Sequence, residues 1–200
     1  MGRTTIDDEG LDGEFVRSIR AAEKASNAAF EITRIGHVVL RVADLSRSVA
    51  FYTELLGFKV TDVYPDTMMP GGMVFMRCNR DHHGVALIGG GDGQANAREM
   101  HHMAFEVATV DEVIRARDLL VSKRVPITYE GRRRAGCQIA VEFEDPDGHA
   151  LEVYWGLDQI GDDGRSRPAG EWLPRDSLAS AIEEAPVGQE IKLLDGTLKP

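Results

Sequence analysis

Three side chains able to ligate a metal ion, His37, His102 and Glu152, stand in a chain that repeats itself. Residues 34–60 lie over residues 99–125 without a gap at a constant offset, 102 − 37 = 65. His37 falls on His102, Leu40 on Phe105, Val42 on Val107, Leu45 on Val110 and Leu55 on Leu120. Two neutral imidazoles and one carboxylate can occupy one face of an iron(II) ion and leave the opposite face to substrate and dioxygen. A lone histidine in a strand is more often a packing or surface residue, and it is the matched placement that points to a metal.

The elements that must position these residues can be read from periodicity. Each copy opens with an alternating apolar stretch, a strand, and continues with apolar residues three and four apart, a helix. The first helix shows Leu45, Val49, Tyr52 and Leu56, and the second Val110, Val113, Ala116 and Leu120. Residues 71–78 and 83–88 supply further strands of the first copy, and 136–143 and 149–155 those of the second. Asp145-Pro146-Asp147-Gly148 has turn chemistry, because proline presets one backbone angle and glycine accepts a positive one. The expected fold is α+β, two tandem βαβββ units forming an open, incomplete barrel around a metal-binding cleft. Residues 33–157 make one domain, with units at about 33–92 and 99–157, between an extension (1–32) and a tail (158–200).

This arrangement resembles the vicinal oxygen chelate superfamily, which includes glyoxalase I, methylmalonyl-CoA epimerase, fosfomycin and bleomycin resistance proteins and type I extradiol dioxygenases. The stretches GHVVLRVADLSRSVAFYTELLGF, CNRDHHGVAL, HHMAFEV and DPDGHALEVYWG look most like the extradiol ring-cleaving group. The resemblance implies His37, His102 and Glu152 as ligands of iron(II), with manganese(II) as the other metal to consider, and His83 as the residue that moves protons. Histidine suits that task because its free pKa lies near neutrality. Glyoxalases and epimerases carry a fourth ligand late in the first unit; at the same offset, 152 − 65 = 87, this chain has Leu87. Three ligands leave room for a catecholate and dioxygen together.

Two positions depart from the extradiol pattern. The family's tyrosine, ten residues before the glutamate ligand, is Glu142 here, and its histidine nine residues earlier is Arg133. A carboxylate cannot donate as a phenol does, and a guanidinium brings permanent charge suited to an oxyanion. Both are read as substrate-binding positions. Arg132, Arg133 and Arg134 together read as a solvated loop. His101 faces away from His102 along a strand, and His82 and His149 lie outside the ligand set.

The resemblance implies an extradiol dioxygenase acting on a small catechol-like aromatic with dioxygen. The alternatives are a metal-dependent lyase or isomerase of the glyoxalase and epimerase kind, and a metal-free small-molecule binding or resistance protein. Thirty-three acidic against 23 basic residues argue against nucleic acid and anionic membranes as partners. No apolar run reaches the ~20 residues of a membrane span, and the start MGRTTIDDEG lacks the sections of a signal peptide. Two cysteines without a CxxC motif fit a reduced, cytoplasmic setting. Phe15, Ile19, Ala22, Ala25 and Ala29 predict an amphipathic helix over 14–30. The tail carries Trp172, Leu173, Leu193 and Leu194, so both ends are expected to pack over the domain or across a homodimer or higher homo-oligomer.

Overall fold

The computed structural model describes residues 5–23, 35–93, 100–160, 162 and 165–200. At the amino-terminal end, α1 (Asp8–Leu11) is followed by α2 (Glu14–Arg20). Phe15 and Ile19 stay exposed on α2, which ends at Arg20, short of the expected helix over 14–30, so the expected apolar stripe is not buried; Ala25 and Ala29, like the boundary residues 33 and 99, lie outside the described residues. The first unit runs β1 (Val38–Arg41), α3 (Leu45–Ala50), β2 (Lys59–Tyr64), β3 (Met73–Arg77), β4 (Val85–Ile88). The second runs β5 (Met103–Glu106), α4 (Val110–Ser122), β6 (Ile127–Arg132), β7 (Ile139–Glu144), β8 (Ala150–Trp155), and α5 (Leu178–Glu183) lies in the tail. Asp44 caps α3, and Thr109 with Glu112 forms a capping box on α4. The first helix does not stay α throughout, because Phe51–Leu55 widens into a π-helical turn that buries Tyr52.

Among the described residues the strands form two open four-stranded sheets of the same order, β1-β4-β3-β2 and β5-β8-β7-β6, with β1 parallel to β4 and β5 parallel to β8. Strand register corrects the constant offset. Val38 pairs with Val85 while Met103 pairs with Leu151, so the structural counterpart of Glu152 is Ala86 rather than Leu87. Neither alanine nor leucine has a side chain that can bind a metal.

Alternation along each strand sorts the faces. Leu40, Val42, Val74, Met76, Val85 and Leu87 from one sheet and Ile139, Val141, Phe143, Leu151 and Val153 from the other join α4 in a single hydrophobic core. His37, Phe75 and Ala86 fall on the opposite face of the first sheet, and His102, Glu142 and Glu152 on the opposite face of the second. The two units therefore meet through their helix-bearing sides.

Buried polar contacts fasten this junction. The Asp147 carboxylate accepts from the Ala43 amide (2.8 Å) and the Ser48 hydroxyl (2.9 Å) and pairs with Arg47 (3.3 Å). Asp145 accepts from the Tyr52 hydroxyl at 3.1 Å and from the amides of Asp147 and His149. The tail is held separately. Ile191, Leu193 and Leu198 pack against the common core while Leu194 remains exposed, and Asp111, at the start of α4, accepts the amides of Leu194 and Asp195. Arg132, read from sequence as part of a solvated run, is fully buried and donates to the carbonyls of Leu173, Ala181 and Glu184, two of them at the carboxyl end of α5. A cation suits that end of a helix. Gly131, at φ 136, admits the tail: a Cβ there would sit 2.1 Å from the Arg175 carbonyl oxygen. No described helix is long and apolar enough to cross a membrane.

Replacing Arg132 by Met leaves three carbonyls without their donor and is expected to cost about 3 kcal/mol. Denaturant melts and limited proteolysis, with new cuts confined to 165–200, check it. Acid should loosen the junction between the units. Burial alone would raise the Asp147 pKa, but donation from Ala43, Ser48 and Arg47 outweighs it and holds the carboxyl below its ordinary range. Its stabilisation is then complete above the unfolded value near ~4 and disappears as pH falls through the folded one. Thermal melts from pH 6 to pH 2 should fall more steeply below ~pH 4 in the wild type than in Asp147→Asn.

Candidate metal centre

Glu142 and Glu152 are cross-strand neighbours on the open face of the second sheet, a placement that sets two carboxylates side by side and is unfavourable unless each is compensated. Glu142 is compensated by Arg133, which forms an ion pair with it and lies over the Tyr129 ring at 4.0 Å. Glu152 is only 1% exposed and is contacted by groups without permanent charge: the His102 Nε2 is 3.3 Å from one carboxylate oxygen, and the Gln138 amide donates to the other at 3.3 Å. Among the described residues no Arg or Lys pairs with it. A buried carboxylate in that state calls for a cation.

The separation fits one. Two donors each about 2.1 Å from a first-row ion, and 90–109° apart, stand about 3.0–3.4 Å from each other. His102 keeps its Nδ1 2.8 Å from the Nδ1 of His101, which directs Nε2 at Glu152 in the way outer contacts orient ligands. His101 was expected to face away; it instead lines the same cavity of about 660 Å³ with His102, Gln138, Glu142, Glu152 and Arg133. Thr5, Ile6, Leu11 and Trp172 form the other wall of that cavity.

His37 is not there. It sits exposed on the open face of the first sheet, its ring 4.6 Å from that of His83. His83 in turn packs on Phe75 at 5.0 Å and is joined to His82, whose Nε2 is 3.0 Å from Asp62. Burial, with the charges of His37 and His82 added, lowers the His83 pKa. Among the described residues no three His, Cys, Asp or Glu side chains gather as a metal cluster. One chain thus brings together two of the three expected ligands and holds the third, with the expected proton-moving histidine, on its other sheet. His149 lies outside the site, at 2.9 Å from Asp145.

Gln138 was missed in the sequence. Its signal was parity: 138, 140 and 142 alternate onto the face that carries Glu142, and Gln138 stands just ahead of β7 (Ile139–Glu144).

Residues 34–153 match the family model described as Glyoxalase/Bleomycin resistance protein/Dioxygenase superfamily. The chain is 32% identical over 129 residues to 3-methylcatechol 2,3-dioxygenase of Pseudomonas putida, covering 63% of this chain and 43% of that protein. It is 26% identical over 158 residues to the iron-dependent extradiol dioxygenase of Rhodococcus jostii, covering 74% and 49%. It therefore spans under half the length of either relative. Among solved structures, the fosfomycin resistance protein FosX of Listeria monocytogenes aligns over 64% of this chain and 96% of its own with a TM-score of 0.51 at 20% identity, a likeness of fold. With its duplicated units, two open sheets of equal strand order and the matched span, this chain belongs to the glyoxalase, bleomycin resistance protein and dioxygenase superfamily.

Proposed function

We propose that this protein is a metal-dependent extradiol dioxygenase that opens the ring of a small catechol-like aromatic with dioxygen. The observation that carries the reading is the buried Glu152 carboxylate, 3.3 Å from His102 and without an Arg or Lys partner among the described residues. The extradiol relatives support the reaction class, and the name of one supports iron. His102, Glu152 and His37 would hold iron(II), or manganese(II) in its place. Such an ion, when bound, lets an electron pass between a closed-shell diol and triplet dioxygen, which react slowly on their own.

The chain's own residues do the rest. Gln138 occupies one oxygen of Glu152 and leaves the other to the cation. Arg133 and Glu142 neutralise each other at the cavity wall, so the wall adds no net charge and an uncharged diol is the better match than an acidic substrate. A cavity of about 660 Å³ suits a one- or two-ring aromatic. His83, an imidazole of lowered pKa, is the group to take a hydroxyl proton and return it to the product.

Anaerobic protein loaded with iron(II) and then given a catechol panel and air should consume oxygen and develop the visible absorbance of ring-opened products. His102→Ala should lose at least ~100-fold of this activity along with its metal. A lyase or isomerase would turn over without oxygen; iron binding with no oxygen uptake on any catechol would overturn the dioxygenase reading. Glu142→Gln should release Arg133 to compete with the cation for Glu152. Titration with manganese(II), followed by its electron spin resonance signal, is expected to show about 10-fold weaker binding.

A further inference from the structure

We infer that Trp172, with Ile6 and Leu11, decides which catechol-like compound this protein accepts: the three side chains form an apolar wall that receives the part of the substrate remote from its two hydroxyls. This rests on the dioxygenase reading above and adds where selectivity among diols comes from. All three residues lie outside the span 34–153 that matches the family model.

A metal held by imidazole and carboxylate recognises paired hydroxyls, which every catechol carries, so it cannot choose among catechols. The choice has to come from the side of the cavity that faces the rest of the molecule. In the cavity of about 660 Å³ the sheet side is polar, with His102, Gln138, Glu142 and Glu152, and the opposite side is supplied by the two ends of the chain, Ile6 and Leu11 from one and Trp172 from the other. The charged groups at that side are committed to the amino-terminal segment itself: the Asp7 carboxylate accepts the Gly10 amide at 2.9 Å, and Arg134 donates to the Thr5 carbonyl at 2.9 Å. What is left to meet a ring substituent is apolar.

Trp172 is aimed by its surroundings. Its indole N–H donates to the Arg167 carbonyl at 3.2 Å, and the Arg167 guanidinium is fixed on Asp158 at 2.7 and 2.9 Å. Leu173, next in the chain, has φ 24, in the left-handed region that leucine rarely visits, and its carbonyl accepts from the buried Arg132 at 3.1 Å. A ring fixed at its nitrogen beside a strained residue marks a place where orientation is over-determined. The amino-terminal segment is held more lightly, since α1 and α2 bury no residue. Among residues 5–12 only Ile6 and Leu11 are half-buried, and both face the cavity. A second ring or an alkyl chain beside the diol thus meets the indole and two aliphatic side chains, and unsubstituted catechol gains the least from them.

Binding measured without oxygen, so that no turnover intervenes, tests the wall. In iron(II)-loaded Trp155→Phe protein, Trp172 is the remaining tryptophan, and its fluorescence should be quenched by 3-phenylcatechol. Calorimetry should give the wild type a Kd for 3-phenylcatechol about 10-fold below that for catechol. Trp172→Ala should lose this preference, binding 3-phenylcatechol about 10-fold more weakly and catechol within about twofold of the wild type. Trp172→Phe should keep most of the preference, and Leu11→Ala should reduce it about 3-fold. In air, kcat/KM for the two diols should shift in the same ratio. Iron content equal to the wild type shows that each variant is folded around its metal centre. A wild type that binds both diols equally, a preference that Trp172→Ala leaves intact, or equal weakening of both diols overturns the wall, while diol binding by the wild type keeps the dioxygenase reading alive. A wild type that binds neither diol overturns both.

Discussion

The structure depends on two buried carboxylates in the turn Asp145-Pro146-Asp147-Gly148. A turn between strands would normally sit in water, yet here Asp147 reaches the amide and hydroxyl of Ala43 and Ser48 in the other unit, and Asp145 takes the hydroxyl of Tyr52. Burying carboxylates is costly unless every lone pair finds a donor, and these find backbone amides, hydroxyls and Arg47. The π-helical turn follows from the same requirement, because it places Tyr52 in the core with its hydroxyl at Asp145. Burial, followed by the neighbouring Asp145 and Asp147 charges, pushes the phenol pKa far upward, so the tyrosine stays a donor. The junction commits the helix-bearing sides of both sheets to one core, and that commitment decides which faces remain for chemistry.

On the second sheet the remaining face is organised by charge. Cross-strand pairing makes Glu142 and Glu152 neighbours; an arginine could have satisfied either. Arg133 takes Glu142, assisted by the Tyr129 ring beneath it, and Glu152 is left to His102 and the Gln138 amide. The two positions that depart from the extradiol pattern are thus a single feature. A pair of opposite charges that cancel stands where the extradiol pattern has a histidine and a tyrosine, and Glu152 keeps no Arg or Lys among the described residues.

Much of this was legible in the residues, and the failures have physical causes. Helix and strand positions followed from apolar spacing because one face of each element is buried in a common core. The offset of 65 located His102 from His37 correctly but drifted by one at β4, where strand register sets Ala86 rather than Leu87 against Glu152; insertions in loops leave no trace in a gapless comparison. Arg132 was misread because three consecutive arginines look alike in sequence. In the fold they separate completely: Arg132 clasps helix carbonyls, Arg133 meets Glu142, and Arg134 reaches the carbonyl of Thr5. The partners of Arg132 and Arg134 lie 41 to 129 residues away, which local composition does not reveal. His101 was assigned outward by strict alternation, but it precedes β5 (Met103–Glu106), where the pleat no longer dictates direction.

The placement of His37 is the most instructive divergence. Repetition in sequence says that two histidines hold equivalent positions; it does not say that equivalent positions face one another. Two copies of a unit can pack by their ligand-bearing faces and enclose a site, or by their helix-bearing sides and expose two half-sites. The first arrangement would leave apolar helix surfaces to be covered elsewhere, whereas the second buries them at once, with Phe58 against Phe105 at 5.5 Å and Phe51 near Phe143 at 6.4 Å. Hydrophobic burial thus favours the arrangement that separates His37 from His102 and Glu152, since a few polar side chains contribute little against a core of that size. Read one chain at a time, the repeated positions then hold two separate histidine groups, His37 with His83 on one sheet and His101 with His102 on the other.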